Sequence, residues 1–252
     1  MATPEVRPLP RRTARIAALA LSALAVTGFA APAQAATVAG APSSVAAILP
    51  IDLGGSELLN RGDSGPEVRE LQERLNELGY WTGTPDGLFQ DLTVQAVYAV
   101  QKAAGIDRDG VVGPQTRKAL REGVRPEATA SGEAIEIDLE RQLLLVVSDG
   151  RVEQVFNTST GSGETYESRG RQSVAVTPTG AYTVFREVDA WDPGPLGALY
   201  RPKYFNGGIA IHGYPSVPPY PASHGCARVS TPAMDWLWES GHLDHGKTVI
   251  VR

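Results

Sequence analysis

The reactive side chains of this 252-residue chain are concentrated in Ile209 to Ser230, IAIHGYPSVPPYPASHGCARVS. The segment holds the only cysteine, Cys226, and two of the four histidines, His212 and His224. A single cysteine excludes an intramolecular disulfide and every multi-cysteine zinc or iron–sulfur site. Two readings of it compete. A buried thiol packs as a small inert apolar group. A nucleophilic thiol needs approach space, a base within hydrogen-bond reach and surroundings that favour the thiolate. Gly225 removes bulk beside Cys226, and Ser223 and His224 are polar, which favours the nucleophile.

His212 closes a strand-like run. Alternation puts Ile209 and Ile211 on one face, Ala210 and His212 on the other, so the imidazole should leave the apolar side and enter a cleft. A backbone carbonyl accepting one ring N–H would fix the tautomer and leave the other nitrogen as a base. Bare Gly213 follows, where main chain can come close. His224, two residues before the thiol, is open to three roles: base, substrate donor, or a residue shaping the turn. Pro218, Pro219 and Pro221 stiffen the connection between the histidines. A zinc site built from His212, His224 and Cys226 is the rival chemistry. The segment has no carboxylate and the chain has no HExxH, so we expect no metal and no cofactor.

The elements that must position these groups divide into distinct stretches. The chain carries net charge −5 with 42% hydrophobic and 20% charged residues, which is globular composition, and its acidity argues against nucleic-acid binding. Residues 1–35 read as an export signal. Arg7, Arg11, Arg12 and Arg15 form a basic region, Ile16 to Ala31 is uncharged, and Ala33-Gln34-Ala35 suits signal peptidase. The alternative is an uncleaved membrane anchor, for which these 16 residues fall short of the roughly 20 a spanning helix needs. Cleavage would leave 19 basic and 27 acidic residues, so any recognition of the envelope should rest on shape and hydrogen bonds rather than net charge. Residues 36–57, rich in Ala, Gly, Pro and Ser, read as a flexible tether.

Residues 58–122 read as a small three-helix unit. Pro66 and Glu67 suit a helix start, Val68, Leu71, Leu75 and Leu78 keep helical spacing, and Gly79 suits a left-handed stop. An internal repeat with offset 23 follows. Asp86-Gly87 matches Asp109-Gly110, Thr93 matches Thr116 and Ala96 matches Ala119. Residues 123–132 read as an extended linker. From residue 133 the pattern is β. Ile135, Ile137 and Leu139 alternate with Glu136, Asp138 and Glu140. Leu143 to Val147 is continuously apolar, and Asp149-Gly150 should turn it into Val152 to Phe156. Further strands are expected over Tyr182 to Phe185, Gly208 to His212 and Thr248 to Val251, with one helix over Met234 to Ser240. The fold class is therefore multidomain: an all-α module, then a mainly β sandwich or barrel-like domain over 133–252. Glu187 to Tyr204 reads as a long loop.

Two resemblances build on these residues. Asp86-Gly87-Leu88-Phe89 with Thr93, Ala96-Val97 and Val100-Gln101 resembles the peptidoglycan-binding domain 1 motif over about residues 58–121, which implies a wall-targeting module. His212-Gly213 with Ser223-His224-Gly225-Cys226-Ala227-Arg228 resembles the L,D-transpeptidase (YkuD-type) motif. Thr177 to Gly180 and Lys203 to His212 fit the same family. That resemblance implies Cys226 as nucleophile, His212 as base and His224 as a further catalytic residue. It implies Gly213 orienting His212, and His224, Gly225 and Cys226, with Ser223, framing an oxyanion site partly through main-chain N–H groups. Arg228 would hold the turn or a substrate carboxylate. Apart from the resemblance, the length of the Glu187–Tyr204 loop makes it a candidate lid or wall beside Cys226, with Trp191, Tyr200 or Tyr204 touching the donor peptide. The resemblance further implies an exported monomeric transferase of peptidoglycan biosynthesis, serving wall organisation and cell shape. Its partners would be donor and acceptor stem peptides, and carbapenems would acylate it. An L,D-carboxypeptidase and a non-catalytic wall binder are the alternatives.

Overall fold

A computed structural model of the chain describes residues 58–252. The export signal and tether read from the sequence lie outside the described residues. Among the described residues no helix is long and apolar enough to cross a membrane.

Three helices come first: α1 (Pro66–Glu77), α2 (Asp91–Ala104) and α3 (Pro114–Glu122). α1 and α3 open on a proline in the first turn, where a missing N–H costs nothing. The Asp-Gly repeat has a physical basis that spacing alone does not reveal. Gln72 of α1 donates to Asp86 Oδ1 (2.8 Å), Leu88 O and Thr93 Oγ1, and accepts from Gly87 N. Gln101 of α2 does the same for the second copy, with Asp109 Oδ1 (2.6 Å), Val111 O, Thr116 Oγ1 and Gly110 N. Each buried amide therefore latches the turn that launches the next helix.

The β region has twelve strands: β1 (Ala134–Asp138), β2 (Leu143–Ser148), β3 (Arg151–Asn157), β4 (Thr165–Ser168), β5 (Arg171–Val174), β6 (Gly180–Thr183), β7 (Arg186–Glu187), β8 (Trp191–Gly194), β9 (Gly197–Asn206), β10 (Ile209–Tyr214), β11 (Ala227–Ser230) and β12 (Thr248–Val251). Helix α4 (Thr231–Glu239) lies between the last two, capped by Ser230 Oγ accepting from Ala233 N. One sheet has the order β3-β2-β1-β12-β6 and the other β11-β10-β9-β7, with β8 also on β9; β4 and β5 form a separate hairpin. The two sheets and α4 enclose a core of Ile135, Ile137, Leu144, Val146, Ile211, Val229, Met234 and Val249. This is the sandwich arrangement, in which inward faces interdigitate.

Three expectations change. β1 was expected to show a polar face, yet Glu136 is 0% and Asp138 3% exposed. The reason is that the opposite face of this sheet is also covered. Leu143, Leu145, Val147 and Val155 join one apolar cluster with Leu71, Leu75, Phe89, Val97 and Leu120 of the helices. Glu136 is satisfied there by Thr129 N, Ala130 N and Arg252 Nε. Residues 123–132 belong to no helix or strand, and these bonds tie Thr129 and Ala130 to the sheet. Secondly, Glu187–Tyr204 is not a loop. Most of it forms the antiparallel β8–β9 hairpin, with Trp191 opposite Tyr200. Pro193 sits on β8, Pro195 in the turn and Pro202 on β9. Thirdly, β6 begins two residues before the expected strand. The chain changes sheet at its end: Val184 N bonds Lys247 O in the first sheet and Phe185 N bonds Tyr204 O in the second.

Candidate active site

β10 is the central element of the site. It pairs antiparallel with β9 and parallel with β11, with Ile211 opposite Ala227 and His212 opposite Arg228. Ile211, Ala227 and Val229 enter the inter-sheet core. Strand alternation then sends Ala210, His212 and Tyr214 to the other face, together with Arg228 and the preceding Cys226. The register thus brings the imidazole and the thiol to one face of two neighbouring strands.

His212 is buried. Its Nδ1 lies 2.9 Å from the carbonyl oxygen of Gly213. A carbonyl only accepts, so Nδ1 carries the proton and Nε2 the free lone pair. Gly213 must be glycine because of close packing on its other face: a Cβ there would lie 2.6 Å from Tyr200 Cδ1. The turn leading to Cys226 is held from within. Ser223 Oγ donates to Cys226 O (2.6 Å) and accepts from Gly225 N (3.0 Å). The buried Thr177 hydroxyl donates to Gly225 O (2.6 Å) and accepts from Gly161 N. Gly225 has φ +139°, and a Cβ there would stand 2.9 Å from Val176 O, so only glycine is tolerated. The segment after β3 forms a cradle for this turn. Ser159 pairs with Arg228 in both directions, and Thr160 O accepts from Ala222 N and Ser223 N.

Cys226 is half-buried, with Sγ facing Gly208 O at 3.9 Å. Desolvation pushes the thiol above its ordinary value, opposed by a main-chain bond at Ala210 and by the charge of Arg228. Burial pushes His212 down to about 4; its bond to Gly213 opposes this and the Arg228 charge adds to it. Both shifts run toward the uncharged forms, so burial opposes the thiolate here rather than favouring it. Alkylation of Cys226 by iodoacetamide should accordingly be slow at neutral pH. Its rate should rise only above about 8.5, the ordinary thiol value. A plateau reached already in acid, followed by mass spectrometry, would mean an ion pair instead.

The other sequence candidates lie as follows. His224 is exposed, and its ring meets Tyr166 of β4 edge-on at 4.7 Å between centroids. Arg228 donates to Ala222 O and stacks over Tyr214 at 4.2 Å, so it braces the turn. Tyr204 sits opposite Ala210, with its hydroxyl donated to Asp192 and Arg186 over its ring. Tyr200 and Trp191 are not brought to the thiol face. Tyr200 lies opposite Gly213, meets the Trp191 ring at a tilt of 59° and donates to Asp235 of α4. The Gly225 N–H, one expected oxyanion donor, is already engaged by Ser223. Sequence reasoning missed Tyr166 and the cradle residues Thr158, Ser159 and Thr160. The roles of Thr177 and Gln142, which hold Gly225 and Thr160, escaped it too. Among the described residues no three His, Cys, Asp or Glu side chains converge on a metal-sized space.

A thiol and a tautomer-fixed imidazole on one sheet face form the constellation of cysteine acyl-transfer enzymes. The model of the L,D-transpeptidase catalytic domain (YkuD) matches residues 132–251, and that of the peptidoglycan-binding domain 1 family matches residues 64–120. The crystal structure of an L,D-transpeptidase from Xylanimonas cellulosilytica DSM 15894 is 50% identical, with TM-score 0.76, over 79% of this chain and 98% of that one. The chain belongs to the L,D-transpeptidase family. The helical part is also similar to two proteins of Bacillus licheniformis. The N-acetylmuramoyl-L-alanine amidase CwlL is 48% identical over 65 residues, covering 25% of this chain and 18% of the amidase. A probable N-acetylmuramoyl-L-alanine amidase is 43% identical over 79 residues, covering 31% and 22%. The chain thus spans about a fifth of the length of these curated relatives.

Proposed function

We propose that this protein is an exported L,D-transpeptidase of peptidoglycan. In this reading Cys226 attacks the carbonyl that joins the third, diamino-acid residue of a tetrapeptide stem to its terminal D-Ala. The Sγ proton passes to His212 Nε2 as the S–C bond forms. The imidazolium returns that proton to the departing amine as the C–N bond breaks, so D-Ala leaves and a thioester remains. The amine of a second stem then attacks, gives its proton to His212 and expels the sulfur, which is reprotonated. The product is a cross-link between third residues. Covalent catalysis splits one difficult exchange into two easier ones and needs no nucleotide. The Cys226 and His224 main-chain N–H groups are the donors left for the oxyanion, and Arg228 lends positive charge beside the sulfur.

The observation that carries this reading is the shared face of His212 and Cys226, with Nδ1 fixed by Gly213 O. The helical module is a wall-binding element in the same reading, and the segment 1–35 supports an extracytoplasmic, wall-associated location. Product analysis tests it. Purified protein given a tetrapeptide stem should release D-Ala and, with an acceptor amine present, yield the cross-linked dimer. Tripeptide alone, even at high acceptor concentration, would assign an L,D-carboxypeptidase. No D-Ala release by folded protein would leave a wall binder.

A further inference from the structure

The helical module reaches beyond the apolar face it shares with the sheet. Lys102, in the last turn of α2, is 1% exposed. Its Nζ donates to Gln142 O (2.8 Å), Thr158 O (3.0 Å) and Asn157 Oδ1. Three ammonium protons thus meet three acceptors, all from the β domain. Burial, with the Arg108 charge, pushes this ammonium well below the ordinary lysine range. The three oxygens are what keep a cation tolerable there.

The acceptors are the root of the cradle beneath the thiol turn. Thr158 Oγ1 donates to Arg228 O (2.8 Å), and the next two residues hold Arg228, Ala222 and Ser223 by main chain. The connection between β10 and β11 is gripped from the same side. Gln95 of α2 donates to Val217 O (3.0 Å) and accepts from Asn157 Nδ2 (2.6 Å), which also reaches Val217 O. Arg108, just past α2, donates to Pro219 O (3.2 Å). A mere attachment module would need only the aliphatic contact. These polar bonds instead converge on the two ends of the segment that carries Cys226.

We propose that Lys102, supported by Gln95, is a positioning residue for the Cys226 turn, so that the helical module is a working part of the acyl-transfer site. The proposal rests on the catalytic reading above, and its test separates the two. Lys102→Met keeps the volume and removes the charge; Gln95→Ala removes the Val217 and Asn157 contacts without burying an unpaired group on α2. Both are made in the full chain and compared with the unmodified protein by three measurements. These are acylation of Cys226 by a carbapenem, alkylation by iodoacetamide at the same pH, which reports access to the sulfur without needing the acyl-transfer geometry, and hydrogen exchange of the peptide 215–226. Acylation should slow by about tenfold or more in Lys102→Met, because small misplacements of reacting groups are amplified in rate. Alkylation should stay within about twofold and exchange of 215–226 should quicken; Gln95→Ala should move in the same sense, less far.

Unchanged acylation in folded Lys102→Met overturns the proposal. So does an equal loss of acylation and alkylation, which would mean altered access. If Lys102→Met does not fold, Gln95→Ala decides by the same criterion. If the unmodified protein is not acylated, the catalytic reading fails first. Hydrogen exchange then decides alone, and an unaltered 215–226 peptide rejects the positioning role.

Discussion

Cys226→Ala should yield a folded protein that releases no D-Ala and gains no mass from a carbapenem. The chain has no second cysteine to substitute for it. The sulfur is half-buried and belongs to neither apolar cluster, its noted neighbour being a carbonyl oxygen at 3.9 Å. Its removal should change stability by less than about 1 kcal/mol, within the range of substitutions that disturb no core. The turn itself is unaffected, because Ser223 and Thr177 grip the backbone of residues 225 and 226 rather than the thiol. Thermal melting and intact mass on one sample measure both effects. A persisting adduct would move the nucleophile elsewhere and overturn the mechanism.

His212→Ala should be nearly as damaging at neutral pH, and it should leave a signature that Cys226→Ala cannot. A positioned base contributes about 10²–10⁴ in rate. Here the need is acute, because desolvation raises the thiol's pKa and so disfavours the thiolate. The sign follows from the direction of the two shifts. With His212 pushed down to about 4, the unmodified protein has a neutral base from weak acid upward, so its acylation rate should be flat across neutral pH and fall only in acid. Without the ring, the rate should climb with hydroxide until the thiol ionises, and partly recover above about pH 9. Carbapenem acylation followed against pH in both proteins measures this. Parallel profiles would remove His212 from the proton transfers.

Much of this arrangement was legible in the sequence because it is local. The alternation over Ile209 to His212 announced which side the imidazole takes. Asp149-Gly150 announced the β2–β3 turn, and the Asp-Gly repeat announced the helical starts. What remained hidden depends on partners far along the chain. Glu136 reads as a solvent-facing acid until the helices and linker cover it. Lys102 carries no local signal of burial, because its acceptors lie 40 to 56 residues away. Tyr166 belongs to a short polar hairpin without apolar alternation. Residues 187–204 mislead because prolines and glycines suggest a loop, whereas the β8–β9 hairpin carries Pro193 and Pro202 on its strands and Pro195 in its turn. The motif spacing pairs the thiol with a histidine, but the direction in which burial shifts the thiol's pKa is not encoded in spacing.

The apolar layer that unites α1, α2 and α3 with β2 and β3 has a consequence for how such a protein can be cut or recombined. A fragment begun at the family border near residue 132 would present Leu143, Leu145, Val147 and Val155 to water as an aliphatic stripe. Bare stripes of this kind on a sheet invite self-association. The two family segments are therefore separable as sequence patterns and inseparable as soluble bodies, and grafting either onto a foreign neighbour would require redesign of the surface that faced the other.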